Sequence, residues 1–276
     1  MINSAINKVN KKGNGISYVI LSIVSLLSVF PLAWMIVSAT NKSVDVTRGV
    51  LIPGAAFFDN FKQLLAVQNV GTAMINSFKY AIVLTVLSLL VCSLAGYAFE
   101  VYHDKGKDLV MKIILTAMMV PFVAVLIPLF QMIASAKLLN TTAAFILPSI
   151  STPILIMMFR QSARSFPKDI IEAARIDGLK EHQIFYRMFF PTQKATYAAA
   201  LTITFMAAWN AYLWPTVVMT DEKSLTMPML VANLIQGYVT DYGVLMVGVL
   251  LTTLPTVIIF FVLQKYFAEG ITGSIK

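Results

Sequence analysis

Residues 242–264 read YGVLMVGVLLTTLPTVIIFFVLQ, 23 positions without one charged side chain. At 1.5 Å rise per residue such a segment covers about 35 Å as a helix, enough for the roughly 30 Å hydrocarbon core of a bilayer. Lipid offers no partner to a bare N–H or C=O, so an apolar stretch of this length pairs its backbone internally, as a helix. Working outward, five further charge-free windows of at least 20 residues occupy 13–41, 80–99, 113–136, 138–159 and 195–220. The sequence therefore predicts an all-α, polytopic integral membrane protein. Its six transmembrane helices fall at about 16–38, 80–99, 113–134, 142–159, 196–218 and 242–264, in a single transmembrane domain over 1–276.

Composition agrees. Of 276 residues 58% are apolar and 12% charged, and the mean hydropathy is +0.78. Soluble domains carry about 25% charged residues, so an ordinary soluble enzyme, a disordered chain and a disulfide scaffold are all excluded. The single cysteine, Cys92, has no internal partner. The first window is preceded by Lys8, Lys11 and Lys12, as a signal peptide would be. Its apolar run from Ile16 to Val37 is longer than the roughly 7–15 residues of a signal core, so it reads as a retained anchor. The uncharged stretches 63–78 and 224–240 are shorter and carry Gln, Asn, Gly or Pro; they read as interfacial or loop helices.

Basic residues orient the chain. With the N-terminus inside, 15 Lys and Arg fall on the cytoplasmic side and six outside, which places both termini in the cytoplasm. That bias also accounts for the net charge of +8 without nucleic acid. No acidic residue remains inside the windows, which disfavours a proton or sodium symporter, since intramembrane carboxylates usually bind the ion. His103 and His182 lie in separate loops and make no metal pair. There is no G-x-x-x-x-G-K-[ST] loop for nucleotide phosphates.

The loop 160–194 is the long one, and seven of its residues are basic. Pro167 suits the first turn of a helix. Ile170, Ile171, Ala173, Ala174 and Ile176 follow at helical spacing, and Gly178 is a natural stop. A second short helix carries Ile184, Phe185, Met188 and Phe189, with Pro191 to close it. Two such helices are too short to fold alone and too apolar for water, so they pack on the membrane helices, on a partner, or on both.

EAARIDG at 172–178, followed by Phe185 and Pro191, resembles the EAA motif of ATP-binding-cassette importer permeases. The segment Trp209-Asn210-Ala211-Tyr212, with Trp214-Pro215, Leu254-Pro255 and the run 264–267, is similar to the carbohydrate-uptake group, in particular to the second permease of maltose and multiple-sugar importers. The tail 270–276 is similar to that group's G-x-T-x-G-x-x-K ending, but lacks one residue between Thr272 and Gly273. The resemblance implies a permease subunit of a sugar importer in the bacterial cytoplasmic (inner) membrane. A second permease, two ATPase subunits and an extracytoplasmic sugar-binding protein are the implied partners, alongside membrane lipid. No cofactor is implied for this chain; ATP and Mg belong to the partner ATPase, and the chain itself is not an enzyme. Glu172, Ala173, Ala174, Asp177 and Gly178 would couple to the ATPase, with Asp177 open to a second role as a local cap. Asn210, Trp209, Tyr212, Gln131 and Asn76 are the substrate-pathway candidates, with Ser77 beside Asn76. Asn and Gln both donate and accept, as a sugar requires, yet the same groups also bond helix to helix. A permease for another solute, such as polyamine, phosphate or an amino acid, is the main rival. A membrane-embedded enzyme is weaker, for want of intramembrane Asp, Glu and His.

Overall fold

The computed structural model describes the backbone of residues 2–236 and 239–273, and side chains within 15–236 and 239–264. The tail positions Ser274, Ile275 and Lys276 lie outside the described residues, as do the side chains of Lys8, Lys11, Lys12 and Lys265. Among the described residues there are helices and no strands. Three are long and apolar enough to cross a membrane, Gly15–Ala39, Val70–Val101 and Tyr242–Gln264, or five if each of two bent pairs is one span.

The breaks have local causes. Lys105–Ala117 and Phe122–Ser135 meet at 100°. Met118, Met119 and Val120 make tight bonds back to Leu115, Thr116 and Ala117. Pro121, which has no N–H to give, sits as the cap of the next helix. Thr142–Ser149 and Pro153–Arg164 bend by 54°, with Pro153 at the start of the second piece. The window 195–220 is interrupted too: a helix Lys194–Trp209 is followed by Leu213–Val218. At the break the Asn210 amide turns back onto the Met206 carbonyl at 2.9 Å. By contrast the second window is longer than expected. The helix starts at Val70, where the Asn69 side chain accepts from Thr72 N, so residues 70–78 belong to the long helix and not to an interfacial piece. At 32 residues it is about 48 Å long.

Contacts divide the chain into two units, residues 1–68 with 233–251, and 69–232 with 252–276. In the first, Asn60 is buried, and its amide donates to the carbonyls of Ala39 and Asn41 at 3.1 and 2.9 Å. Asn41 in turn donates to Ile52 at 3.0 Å. Two buried amides so satisfied close the turn after the first helix.

In the second unit, Val70–Val101 packs along Pro153–Arg164 and Lys194–Trp209. Small residues make the approach close. At Gly96 an added Cβ would lie 2.6 Å from Phe159 Cβ and 2.7 Å from both Arg160 N and Ile156 O. Higher up, the Ser88 hydroxyl donates to Ser149 O at 3.3 Å. Small and hydroxyl residues at helix crossings are the usual packing solution in lipid, where burial of apolar surface gives no drive. At the opposite end of the long helix, Asn76 donates to Lys223 O and Leu225 O at 2.8 and 3.0 Å. Ser77 Oγ accepts from Met227 N at 2.8 Å.

Candidate functional site

The loop 160–194 folds as a helical knob at one end of the second unit. Pro153–Arg164 runs five residues into it. Pro167 then caps Lys168–Ile176 from an extended conformation, one position earlier than expected. That helix closes through a paired turn: Gly178 N donates to Arg175 O and Leu179 N to Ala174 O, both at 3.0 Å. Gly178 has φ +81°, the left-handed conformation such a turn needs and glycine adopts without strain. The second limb runs from Glu181 to Thr192, with a π turn over Phe185–Phe189 in its middle. Pro191 lies inside its last turn and does not end it.

The π turn has a packing consequence. Phe190 N bonds to Phe185 O, and the widened turn leaves Ile184, Phe185 and Phe189 all buried. Phe185 and Phe189 flank Tyr97 of the long helix, with ring centroids 5.2 and 4.9 Å away. Ile171 and Ala174 join the same cluster. The first limb's apolar residues thus divide into two faces. Ile171 and Ala174 turn inward, while Ile170, Ala173 and Ile176 are exposed beside Glu172 and Asp177. Ile176 is 87% exposed, and sequence reasoning passed over its significance. The signal was there, since Ile176 lies off the Ile171–Ala174 face by helical spacing. The Asp177 carboxylate makes no hydrogen bond among the described residues.

Charged groups fasten the knob. Arg175 Nε donates to Glu181 Oε1 at 2.8 Å, and Tyr102 Oη donates to Glu181 Oε2 at 2.5 Å. The Arg175 guanidinium, and then the Tyr102 hydroxyl, hold the Glu181 carboxyl below its usual range. Burial, and then the hydrogen bond to Glu181, push Tyr102 up to about 12. Tyr102 therefore remains a donor and Glu181 an anion throughout the physiological range. A second clamp joins three helices: Arg160 donates to Glu100 at 3.1 Å and to Asp108 at 2.7 Å. His103 lies 2.9 Å from the other Asp108 oxygen.

The five substrate-pathway candidates are not brought together. Trp209 is 1% exposed; its ring packs between Phe78 and Phe205, and its indole N–H donates to Thr252 O at 2.8 Å. Asn76 is buried on the carbonyls named above. Asn210, Tyr212 and Gln131 are exposed, the first two at the break after Lys194–Trp209. Within the second unit a cavity of about 200 Å³ is lined by Ser149, Thr152, Thr204 and Trp214 but by none of the five. Thr204 Oγ1 is buried there without a partner among the described residues.

Residues 89–273 match the family model for binding-protein-dependent transport system inner membrane components. The chain is 43% identical to the lactose transport system permease protein LacG of Rhizobium radiobacter, over 95% of this chain and 96% of that one. It is 36% identical to the arabinooligosaccharides transport system permease protein AraQ of Halalkalibacterium halodurans, over 92% and 93%. It is 31% identical to the sn-glycerol-3-phosphate transport system permease protein UgpE of Shigella flexneri, over 90% and 92%. Among solved structures, a chain of a bacterial ABC transporter involved in import of the acidic polysaccharide alginate superposes with a TM-score of 0.81, at 22% identity, covering 91% of this chain and 95% of that one. That last likeness is one of fold.

Proposed function

The chain belongs to the family of binding-protein-dependent transport system inner membrane components, and on that premise we propose that it is one permease subunit of an ATP-driven importer of small oligosaccharides. The observation that carries the sugar reading is the 43% identity to a lactose permease across 95% of the chain. The glycerol-phosphate relative favours a second reading, a phosphorylated polyol. A phosphate dianion crossing a pore needs cationic partners, whereas the exposed candidates Asn210, Tyr212 and Gln131 are neutral groups that donate and accept as a sugar hydroxyl does. A neutral sugar therefore fits better.

In this proposal six segments cross the membrane. The three long helices supply three crossings and the two bent pairs two more. Lys194–Trp209 with Leu213–Val218 supplies the sixth, despite its break. Both termini and the knob face the cytoplasm. A second permease completes the pathway, and a binding protein delivers sugar from the outer side. The knob docks on a separate ATPase through Glu172, Ala173, Ala174, Asp177 and Gly178. Support for this comes from its division into a buried Ile171–Ala174 face and an exposed one bearing Glu172, Ala173 and Ile176. ATP binding would close the ATPase pair, the knobs would move with it, and the pathway would turn outward; hydrolysis would reset it.

The test is reconstitution with the permease, ATPase and binding protein that co-purify with this chain from native membrane. ATP-dependent uptake of labelled lactose or arabino-oligosaccharide is expected, competed by unlabelled sugar and not by phosphate, glycerol phosphate or polyamine. Uptake competed only by the phosphorylated polyol would replace the sugar reading with the second one.

Topology has its own check. His182 and Lys223 are both exposed and the native Cys92 is buried, so labelling background is low. His182→Cys is expected to react only with reagents that reach the cytoplasm, and Lys223→Cys only from outside. Reaction of both from one side would end the six-crossing arrangement.

A further inference from the structure

The Glu181 carboxylate joins three parts of the chain that are distant in sequence or separated by a turn. Tyr102 caps the C-terminal end of the long helix Val70–Val101, and its hydroxyl donates to Oε2 at 2.5 Å. Arg175, in the last turn of the first knob limb, donates from Nε to Oε1 at 2.8 Å and from its terminal nitrogen to Oε2 at 3.3 Å. Glu181 itself opens the second limb. Between Arg175 and Glu181 lies the Gly178 turn, where an added Cβ would meet nothing within 4 Å. The limbs share one apolar cluster, which Leu179 joins from the turn, and any directional polar tie between them must span that turn. The ion pair does so, and the tyrosine ties it to the long helix.

We infer that Tyr102, Arg175 and Glu181 form a clasp that makes the knob and the long helix Val70–Val101 move as one body, so that these three are positioning residues for coupling. The inference rests on the docking role proposed for the knob. The long helix is a suitable rod. It is unbroken for 32 residues, and near its far end Asn76 and Ser77 hold the backbone of Lys223, Leu225 and Met227. A displacement of the knob is thereby passed to the segment 223–227 at the other end. The clasp is about half exposed, so its contribution to stability is small. Its role is geometric: two N–H donors and one O–H on a single carboxylate set direction as well as distance.

The experiment uses the whole reconstituted importer and reads three quantities at matched membrane abundance: ATPase retained on pull-down, ATP hydrolysed, and sugar taken up per ATP. The variants are Tyr102→Phe, Glu181→Gln and Glu181→Ala, with Glu172→Lys as a control on the docking role. Tyr102→Phe removes one oxygen and nothing else, so it keeps the test valid if Glu181→Ala accumulates poorly. The clasp predicts full ATPase retention and continued hydrolysis, with uptake per ATP reduced about fivefold or more, the lower end of ordinary coupling between sites. Glu181→Gln, which keeps an acceptor for Tyr102, should fall between wild type and Glu181→Ala. Unchanged uptake per ATP in all three variants overturns the clasp, as does loss of ATPase retention in Tyr102→Phe, which would make these residues part of the docking surface. Failure of the docking role is distinct from either: Glu172→Lys would then retain both the ATPase and uptake.

Discussion

Glu172→Lys and Gly178→Val are expected to leave the chain in the membrane at near-normal abundance while uptake is abolished. The first substitution changes only an exposed side chain. Glu172 lines a cleft with Glu100, Arg164, Lys168 and Arg175, so a lysine there leaves one carboxylate among four basic groups. Within the chain this is screened and weak. At a desolvated interface like charges cost several kcal/mol, roughly a hundredfold or more in affinity. Gly178→Val acts through the backbone. A Cβ at Gly178 meets nothing within 4 Å, yet φ is +81°, so the cost is conformational, about 1–2 kcal/mol. That is too little to unfold a packed helical unit. It is enough to favour another turn geometry and so move Glu172, Ala173 and Ile176 out of register with the partner. The measurement pairs ATPase pull-down with labelled-sugar uptake. Glu172→Gln separates loss of charge from reversal and should keep part of both. Normal retention and uptake in the lysine and valine variants would remove the knob from the coupling role. Suppressors, if selected, should map to the partner ATPase.

Much of this was legible in the chain. Residues 242–264 lie in a single helix, Tyr242–Gly273, because an uncharged run of that length has no other stable state in lipid. Gly178 was equally readable, since a glycine after an amphipathic helix and before a second one has few other uses. Breaks and extensions were not. The charge rule ended the second helix at Lys79, but Val70–Val101 continues past it, because the polar Asn76 and Ser77 find partners at Lys223, Leu225 and Met227, about 150 positions away. Local sequence does not contain that information. The 100° bend at Pro121 depends on the three tight bonds before the proline as well as on its missing N–H. Among the site residues, Trp209 was expected as one of five pathway candidates. Its burial against Phe78 and Thr252 O comes from segments far apart in the chain. Tyr102 and Glu181 carry no motif at all. Their meeting is a product of where the long helix ends.

Gly96→Leu is expected to lower membrane abundance several-fold and, unlike the knob variants, to lower every activity in proportion. Gly96 sits where Val70–Val101 crosses Pro153–Arg164. The ideal Cβ position is 2.6 Å from Phe159 Cβ and 2.7 Å from Arg160 N and Ile156 O, well inside van der Waals contact. Two of those three atoms are helix backbone, so no rotamer change relieves the clash and the helices must part. Overpacking a rigid core costs typically about 1–3 kcal/mol, occasionally more. Here the separation also strains bonds along the same crossing: Ser88 to Ser149 O at 3.3 Å, and Arg160 to Glu100 at 3.1 Å. Arg160 and Glu100 are only 15% and 16% exposed, and a buried charge left without its partner is strongly destabilising. A loss of 1–2 kcal/mol is already enough to change cellular abundance several-fold. Gly96→Ala should show the same effect more weakly, since its methyl group occupies the clashing position. Phe159→Ala should not rescue either variant, because alanine keeps the clashing Cβ and leaves Arg160 N and Ile156 O in place. Membrane abundance and detergent thermal stability, measured side by side for the three single variants and the two doubles, give the answer. Wild-type abundance for Gly96→Leu, or its full rescue by Phe159→Ala, would mean that the two helices do not cross backbone to backbone at this point.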